Sequence, residues 1–200
     1  SYHFSLMFWV ILLMLGKSHD DYYERILKEY EEEMLNISKK LDEVHGKKNH
    51  FEFELAKLKR IYSIYGKTAK LNKQILDLKD KIDCYEKVII NLQSNYKDCI
   101  LNYLRNKYSS LNSTESKILK KLDEINQKKS HYESELEKLL EMYNEKTMPI
   151  KLEREIQMYQ DIIICYKDAK NSLKHEYATY LTENILKHNK FDNKYVMREG

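Results

Sequence analysis

The sequence predicts an all-α fold, two tandem duplicated helical-hairpin modules packed as an antiparallel helical bundle. Three observations carry that expectation. Only 4 of 200 residues are Gly and 1 is Pro, where average usage would supply about 14 and about 10; strand-rich and βαβ folds need more turn residues than that. Apolar residues recur at alternating steps of three and four. The chain also aligns on itself at a shift of 81 residues.

The first element lies apart from the others. Phe4 to Leu15 reads FSLMFWVILLML, the length of a secretory h-region and short of the ~20 residues that span a membrane. Gly16 and Ser18 supply small residues where signal peptidase reads the chain, so cleavage is expected after Ser18. Residues 1–18 are then a signal peptide, 19–110 the first helical module and 111–200 the second. An uncleaved membrane anchor is the competing reading. Export would give meaning to two glycosylation sequons, Asn36-Ile37-Ser38 and Asn112-Ser113-Thr114, which are acceptors only in the secretory pathway.

In the first module Leu27, Tyr30, Met34, Ile37, Leu41 and Val44 begin a helical stripe that continues to Tyr65, broken only at Lys48. A second stripe runs from Leu71 to Tyr103. Between them Gly66-Lys67-Thr68 marks a turn, because Gly permits the left-handed residue that ends a helix. The shift of 81 places ISKKLDEVHGKKNHFEFELAKL, from Ile37, on ILKKLDEINQKKSHYESELEKL, from Ile118, with 14 identities in 22 positions. Gly66-Lys67-Thr68 then meets Thr147-Met148-Pro149, whose proline suits a first helical turn. Each module is therefore helix, turn, helix. The linker Asn106 to Ser116 ends on Asn112 and Glu115, spaced as a helix cap. An extended dimeric coiled coil is the alternative, but the turns and the duplication favour packed hairpins, and tyrosines crowd a narrow zipper seam.

Charge and motifs bound the function. Lys+Arg number 35 and Asp+Glu 32, a net charge of +3, which speaks against nucleic acid as a partner. There is no glycine-rich phosphate loop or nucleophile elbow, so no enzyme and no cofactor are expected. No His sits three or four residues from another His or a Cys, which leaves zinc without local support. His50 and His131 recur after Lys47-Lys48 and Lys128-Lys129; an anion patch is one reading and a solvated helix face the stronger one. Glu31-Glu32-Glu33 reads as solvated surface. Tyr62, Tyr85, Tyr96, Tyr143, Tyr166 and Tyr177 are expected in the core with hydroxyls at its rim, and Tyr22, Tyr23 and Tyr195 at a partner contact.

Cys84, Cys99 and Cys165 make an odd count, which in a secreted chain implies one disulfide and one thiol through which two copies could join as a homodimer. Cys84 and Cys99 lie about 22 Å apart on a continuous helix, beyond the ~4.4–6.8 Å a bridge tolerates. Equivalent helices packed antiparallel would bring Cys99 to Cys165 and Cys84 to Tyr180. That pairing is preferred, with a bridge inside the first module close behind.

A leader followed by two modules carrying Cys84, Tyr85 and Cys99, then Cys165 and Tyr166, resembles the bicycle proteins, aphid salivary effectors named for paired Cys-Tyr-Cys motifs. Tyr180 stands where the pattern has its fourth cysteine. The resemblance implies secretion in saliva into a plant and a role in altering host tissue, gall induction among the outcomes; leader, duplication and Cys-Tyr pattern together point to action by binding a host macromolecule. The resemblance brings no enzymatic activity and no known ligand, and no membrane association is expected once the leader is cleaved. A structural, self-associating coiled-coil protein is the second reading.

Overall fold

The computed structural model describes residues 2–143 and 149–196, with side chains for 7–16, 20–143 and 149–190. Four helices follow in order, α1 (Tyr2–Tyr65), α2 (Ala69–Lys107), α3 (Thr114–Tyr143) and α4 (Ile150–Val196), and no strand occurs among the described residues. The all-α bundle of two hairpins is the fold the chain adopts.

Local chemistry sets the breaks. Gly66 takes φ +83°, a conformation costly for any residue with a Cβ, and its N–H donates to the Tyr62 carbonyl at 3.0 Å. Two residues on, Thr68 caps α2 by accepting from the Leu71 N–H at 3.2 Å. The second hairpin opens α4 differently: the Pro149 carbonyl accepts from the N–H groups of Leu152 and Glu153. The partners aligned with Gly66 and Lys67, Thr147 and Met148, lie outside the described residues. At α3 the cap falls one position later than expected, on Ser113, whose Oγ accepts from the Ser116 N–H at 3.3 Å. Asn112 stays in the linker, exposed.

Inside each hairpin the helices run antiparallel. Phe51 stacks on Tyr85 at 5.7 Å, and Glu33, earlier in α1 than Phe51, lies beside Cys99, later in α2 than Tyr85. Tyr132 meets Tyr159 at 6.0 Å, while the Tyr177 hydroxyl donates to Glu115 at 3.1 Å. Between hairpins the principal contact joins α2 and α4, and there the expected antiparallel register gives way to a parallel one. Gln93 pairs with Asp161 and, further along both helices, Tyr96 packs on Tyr166. The duplication equates Gln93 with Lys174, so Asp161 sits thirteen residues early. The second hairpin is thus displaced by about 20 Å of helix rather than related to the first by a twofold axis.

The core lies where all four helices meet. Leu41, Ile100, Leu104, Ile125, Ala169 and Leu173 are at most 2% exposed, and each large aliphatic side chain so buried contributes about 1.5–3 kcal/mol of transfer free energy. Among the described side chains of α1, Ile37 is the first buried apolar residue, whereas Met7 to Leu15 are 43–68% exposed along the same helix. No described helix is long and apolar enough to cross a membrane. A chain starting at His19 should therefore keep its Tm within about 2 °C, since the described side chains it loses, Met7 to Gly16, are exposed; calorimetry on the two lengths checks this, and a loss of many degrees would mean that the apolar run packs on the bundle.

Candidate functional site

Two features meet between the hairpins, an open cleft lined by tyrosines and, at the hairpin contact, a buried polar cluster.

The cleft encloses about 490 Å³ and draws on every helix. Helical spacing builds its walls: Glu31, Met34, Leu35 and Ser38 from α1, Tyr96, Ile100, Tyr103 and Leu104 from α2. From α3 come Glu124, Ile125, Lys128 and Tyr132, and from α4 Met158, Tyr159, Ile162 and Tyr166. The aromatic rings support one another. Tyr132 stacks on Tyr166 at 5.6 Å, and Tyr96 meets Tyr166 edge-on at 6.5 Å, spacings in the favourable range for aromatic pairs.

Burial keeps the phenols protonated. It drives Tyr96 and Tyr166 far above the ordinary tyrosine range, and neighbouring phenols, Tyr166 on the first and Tyr132 on both, push the same way. Tyr132 rises for the same reason, with Tyr159 adding to it. Tyr103 is raised by burial against the opposing pull of Lys107. At the rim Lys107 hydrogen-bonds to Glu124, and although burial disfavours its charge, that bond and the carboxylate's charge raise its pKa. The second carboxylate oxygen, Glu124 Oε2, is buried without a hydrogen-bond partner. The cleft thus offers aromatic faces, protonated hydroxyls and, buried in its wall, an unpaired carboxylate acceptor.

The buried cluster forms at the hairpin contact. Gln93 Nε2 donates to Asp161 Oδ1 at 3.0 Å, and His45 Nε2 lies 2.8 Å from Asp161 Oδ2. One turn further, the Cys165 thiol donates to the Gln93 carbonyl at 3.5 Å. Burial pushes the Cys165 thiol up to about 12, with the charges of Asp161 and Asp168 reinforcing it. A thiol so protected is no nucleophile.

All three cysteines are free thiols. The expected Cys99–Cys165 bridge is not made, because the parallel register sets Cys165 against Gln93 while Cys99 turns toward Glu33. Cys84 is exposed instead of facing Tyr180, which stacks on Tyr177 at 6.4 Å. Tyr85 is half-buried on Phe51, and Tyr166 is buried in the cleft wall. Tyr62 is half-buried, but Tyr143 is 47% exposed and stands outside the core. Tyr22 and Tyr23 pack edge-on at 6.0 Å, and the side chain of Tyr195 lies outside the described residues. Asn36 is exposed on α1, with the Ser38 hydroxyl of its sequon turned back to the Leu35 carbonyl.

The histidine–lysine recurrences are surface structure. His50 and His131 each lie edge-on to the following ring, Phe51 and Tyr132, at 5.5 and 5.4 Å. Lys48 pairs with Glu52 and Glu86, and Lys129 with Glu133. Glu31, Glu32 and Glu33 are exposed as expected, with Glu31 at the edge of the cleft and Glu33 beside Cys99. Among the described residues no group of three or more His, Cys, Asp or Glu could hold a metal ion. His45 and Asp161 escape sequence reasoning, since they are far apart in the chain and the repeat replaces His45 by Asn126. Compared with protein-family models, curated proteins and solved structures, the chain matches none of them.

Proposed function

We propose that the chain is a secreted, non-enzymatic helical effector that acts by binding a host macromolecule, with residues 1–18 removed on export. The tyrosine-lined cleft is the observation that carries this reading. Tyrosine offers a large, rigid, amphipathic contact surface at low entropic cost, and Tyr103, Tyr132 and Tyr159 are half-buried, with one side open to an incoming group. A partner's apolar or aromatic side chain fits between the rings, with a donor reaching Glu124. The cysteine, aspartate and histidine gathered at the hairpin contact do not favour catalysis, because Cys165 and Asp161 are at most 2% exposed. Exposure of Met7 to Leu15 suits a leader that can be removed without loss of core. The Cys84-Tyr85 and Cys165-Tyr166 pattern supports delivery through saliva into plant tissue, with galls as the resemblance's implied outcome.

Expression in cultured insect cells is expected to place the protein in the medium with His19 as its first residue; retention in the cells with an intact N-terminus overturns the secretory part. For the cleft, immobilised wild-type protein and Tyr159→Ala are exposed to host plant extract. Loss of an interfacial tyrosine is expected to weaken capture of a specific host component by about tenfold or more. Equal capture by a folded Tyr159→Ala protein removes the cleft as the binding site.

A further inference from the structure

Duplication gives the contact between the hairpins a second copy of each of its two faces, and both copies are unoccupied. On one side of the internal contact, Asp161, Cys165 and Ala169 form a stripe at successive turns of α4, at 2%, 0% and 0% exposure. Their counterparts in the first hairpin are Asp80, Cys84 and Val88, all exposed, Val88 by 43%. On the other side the α4 stripe rests on Gln93 and His45, with Arg154 reaching Asp42 at 3.8 Å beside it. The counterparts in the second hairpin are Lys174, Asn126 and Asp123, each exposed, and Lys73 is the counterpart of Arg154.

The unused faces are complementary in charge. Asp80 would meet Lys174 where Asp161 meets Gln93, and Lys73 would meet Asp123 where Arg154 meets Asp42. Apolar surface continues the match: Leu181 and Ile185, the counterparts of fully buried Ile100 and Leu104, are 39% and 59% exposed. One chain cannot join its own two free faces, because they belong to opposite sides of a staggered, parallel contact. Such a heterologous interface propagates between copies instead of closing.

We propose that the α2 face at Lys73, Asp80, Cys84 and Val88 docks on the α3/α4 face of a second copy at Asp123, Asn126 and Lys174, so that chains add head to tail by repeating their internal hairpin contact. The repeated contact is looser than the internal one. Gln127 stands where Gly46 leaves room for Arg154, whose guanidinium would lie 2.6 Å from a Cβ there. Association is therefore concentration-dependent.

Sedimentation velocity on the full chain tests this with two exposed charge reversals that leave the core untouched. Wild type is expected to associate progressively as concentration rises. Asp80→Lys and Lys174→Glu each place like charges across the contact, and each should raise the concentration needed for association by roughly tenfold or more. An equimolar mixture of the two variants restores opposite charges at every junction and should recover association, as should the double variant. Alkylation of Cys84 should slow as copies assemble, because its counterpart Cys165 is covered. A wild type that stays monomeric, or association that persists unchanged in either single variant, overturns the proposal; the latter would follow from clustering of Met7 to Leu15.

Discussion

Replacing Asp161 by Ala is expected to lower the free energy of unfolding by about 3–5 kcal/mol, the usual loss when one member of a buried polar pair is removed. In a chain of this size that corresponds to a fall in Tm of about 10 °C. Asp161 is 2% exposed, with one carboxylate oxygen on Gln93 and the other beside His45. Without it, both partners face an apolar contact with no acceptor, and the desolvation already incurred is no longer offset. The duplication supplies the control. Asp80 occupies the same place in the first hairpin but is exposed and makes no side-chain hydrogen bond or ion pair with the described residues of a single chain, so Asp80→Ala in dilute solution should change stability by no more than about 0.5 kcal/mol. Urea unfolding of the two variants decides the matter. Equal effects would remove the buried cluster as the anchor between hairpins.

Much of the fold is legible in the sequence because the breaks are chemically cheap to recognise. A chain with one proline and four glycines cannot hide its turns, and Gly66 and Pro149 stand at equivalent ones. The cap of α3 is misplaced by a single residue because Asn112 and Ser113 are adjacent and both are good caps. The relation between hairpins is less accessible. Each copy carries two stripes able to face a neighbour, one around position 84 and one around position 96 in the first hairpin, and periodicity alone does not say which stripe meets which. Side-chain size gives a physical reason for the register adopted. Ala169, where the first copy has Val88, allows α4 to approach α2 closely at the buried stripe.

The cleft is hidden for a related reason. Repetition draws attention to residues that recur, and the cleft departs from the repeat: Tyr103, Tyr132 and Tyr159 align with Asn184, Phe51 and Leu78. Tyr96 and Tyr166 do recur, as Tyr177 and Tyr85, and were expected in the core, where they are. What converts core tyrosines into a cleft wall is the stagger, which brings Tyr166 of one hairpin against Tyr96 of the other. Divergence between the copies, more than their likeness, marks the surface available to a partner.

The thiols yield the largest kinetic contrast. At pH 8 Cys84 is expected to react with a small disulfide reagent as a surface thiol does, whereas Cys99 and Cys165 in the native protein should react about a thousandfold more slowly than free cysteine, because only thiolate attacks. Both are pushed up to about 12 from an ordinary 9.0. Burial is the leading cause in each case; Glu33 adds its charge and a hydrogen bond at Cys99, and Asp161 and Asp168 add charge at Cys165. These shifts also fix a pH dependence. A thiol whose folded pKa exceeds its unfolded one binds its proton more tightly in the native state. Its stabilising contribution is complete below pH 9 and is lost as pH rises from 9 toward 12. Tyr96 and Tyr166, raised by burial, act in the same direction at still higher pH, while Lys121, lowered by burial, opposes them. Stability should therefore decline above pH 9, less steeply in Cys165→Ala than in wild type when each is compared with its own value at pH 8. Three equally fast thiols at pH 8, or an alkaline decline unchanged by Cys165→Ala, would mean that the hairpin contact opens readily and that Cys165 is not sealed within it.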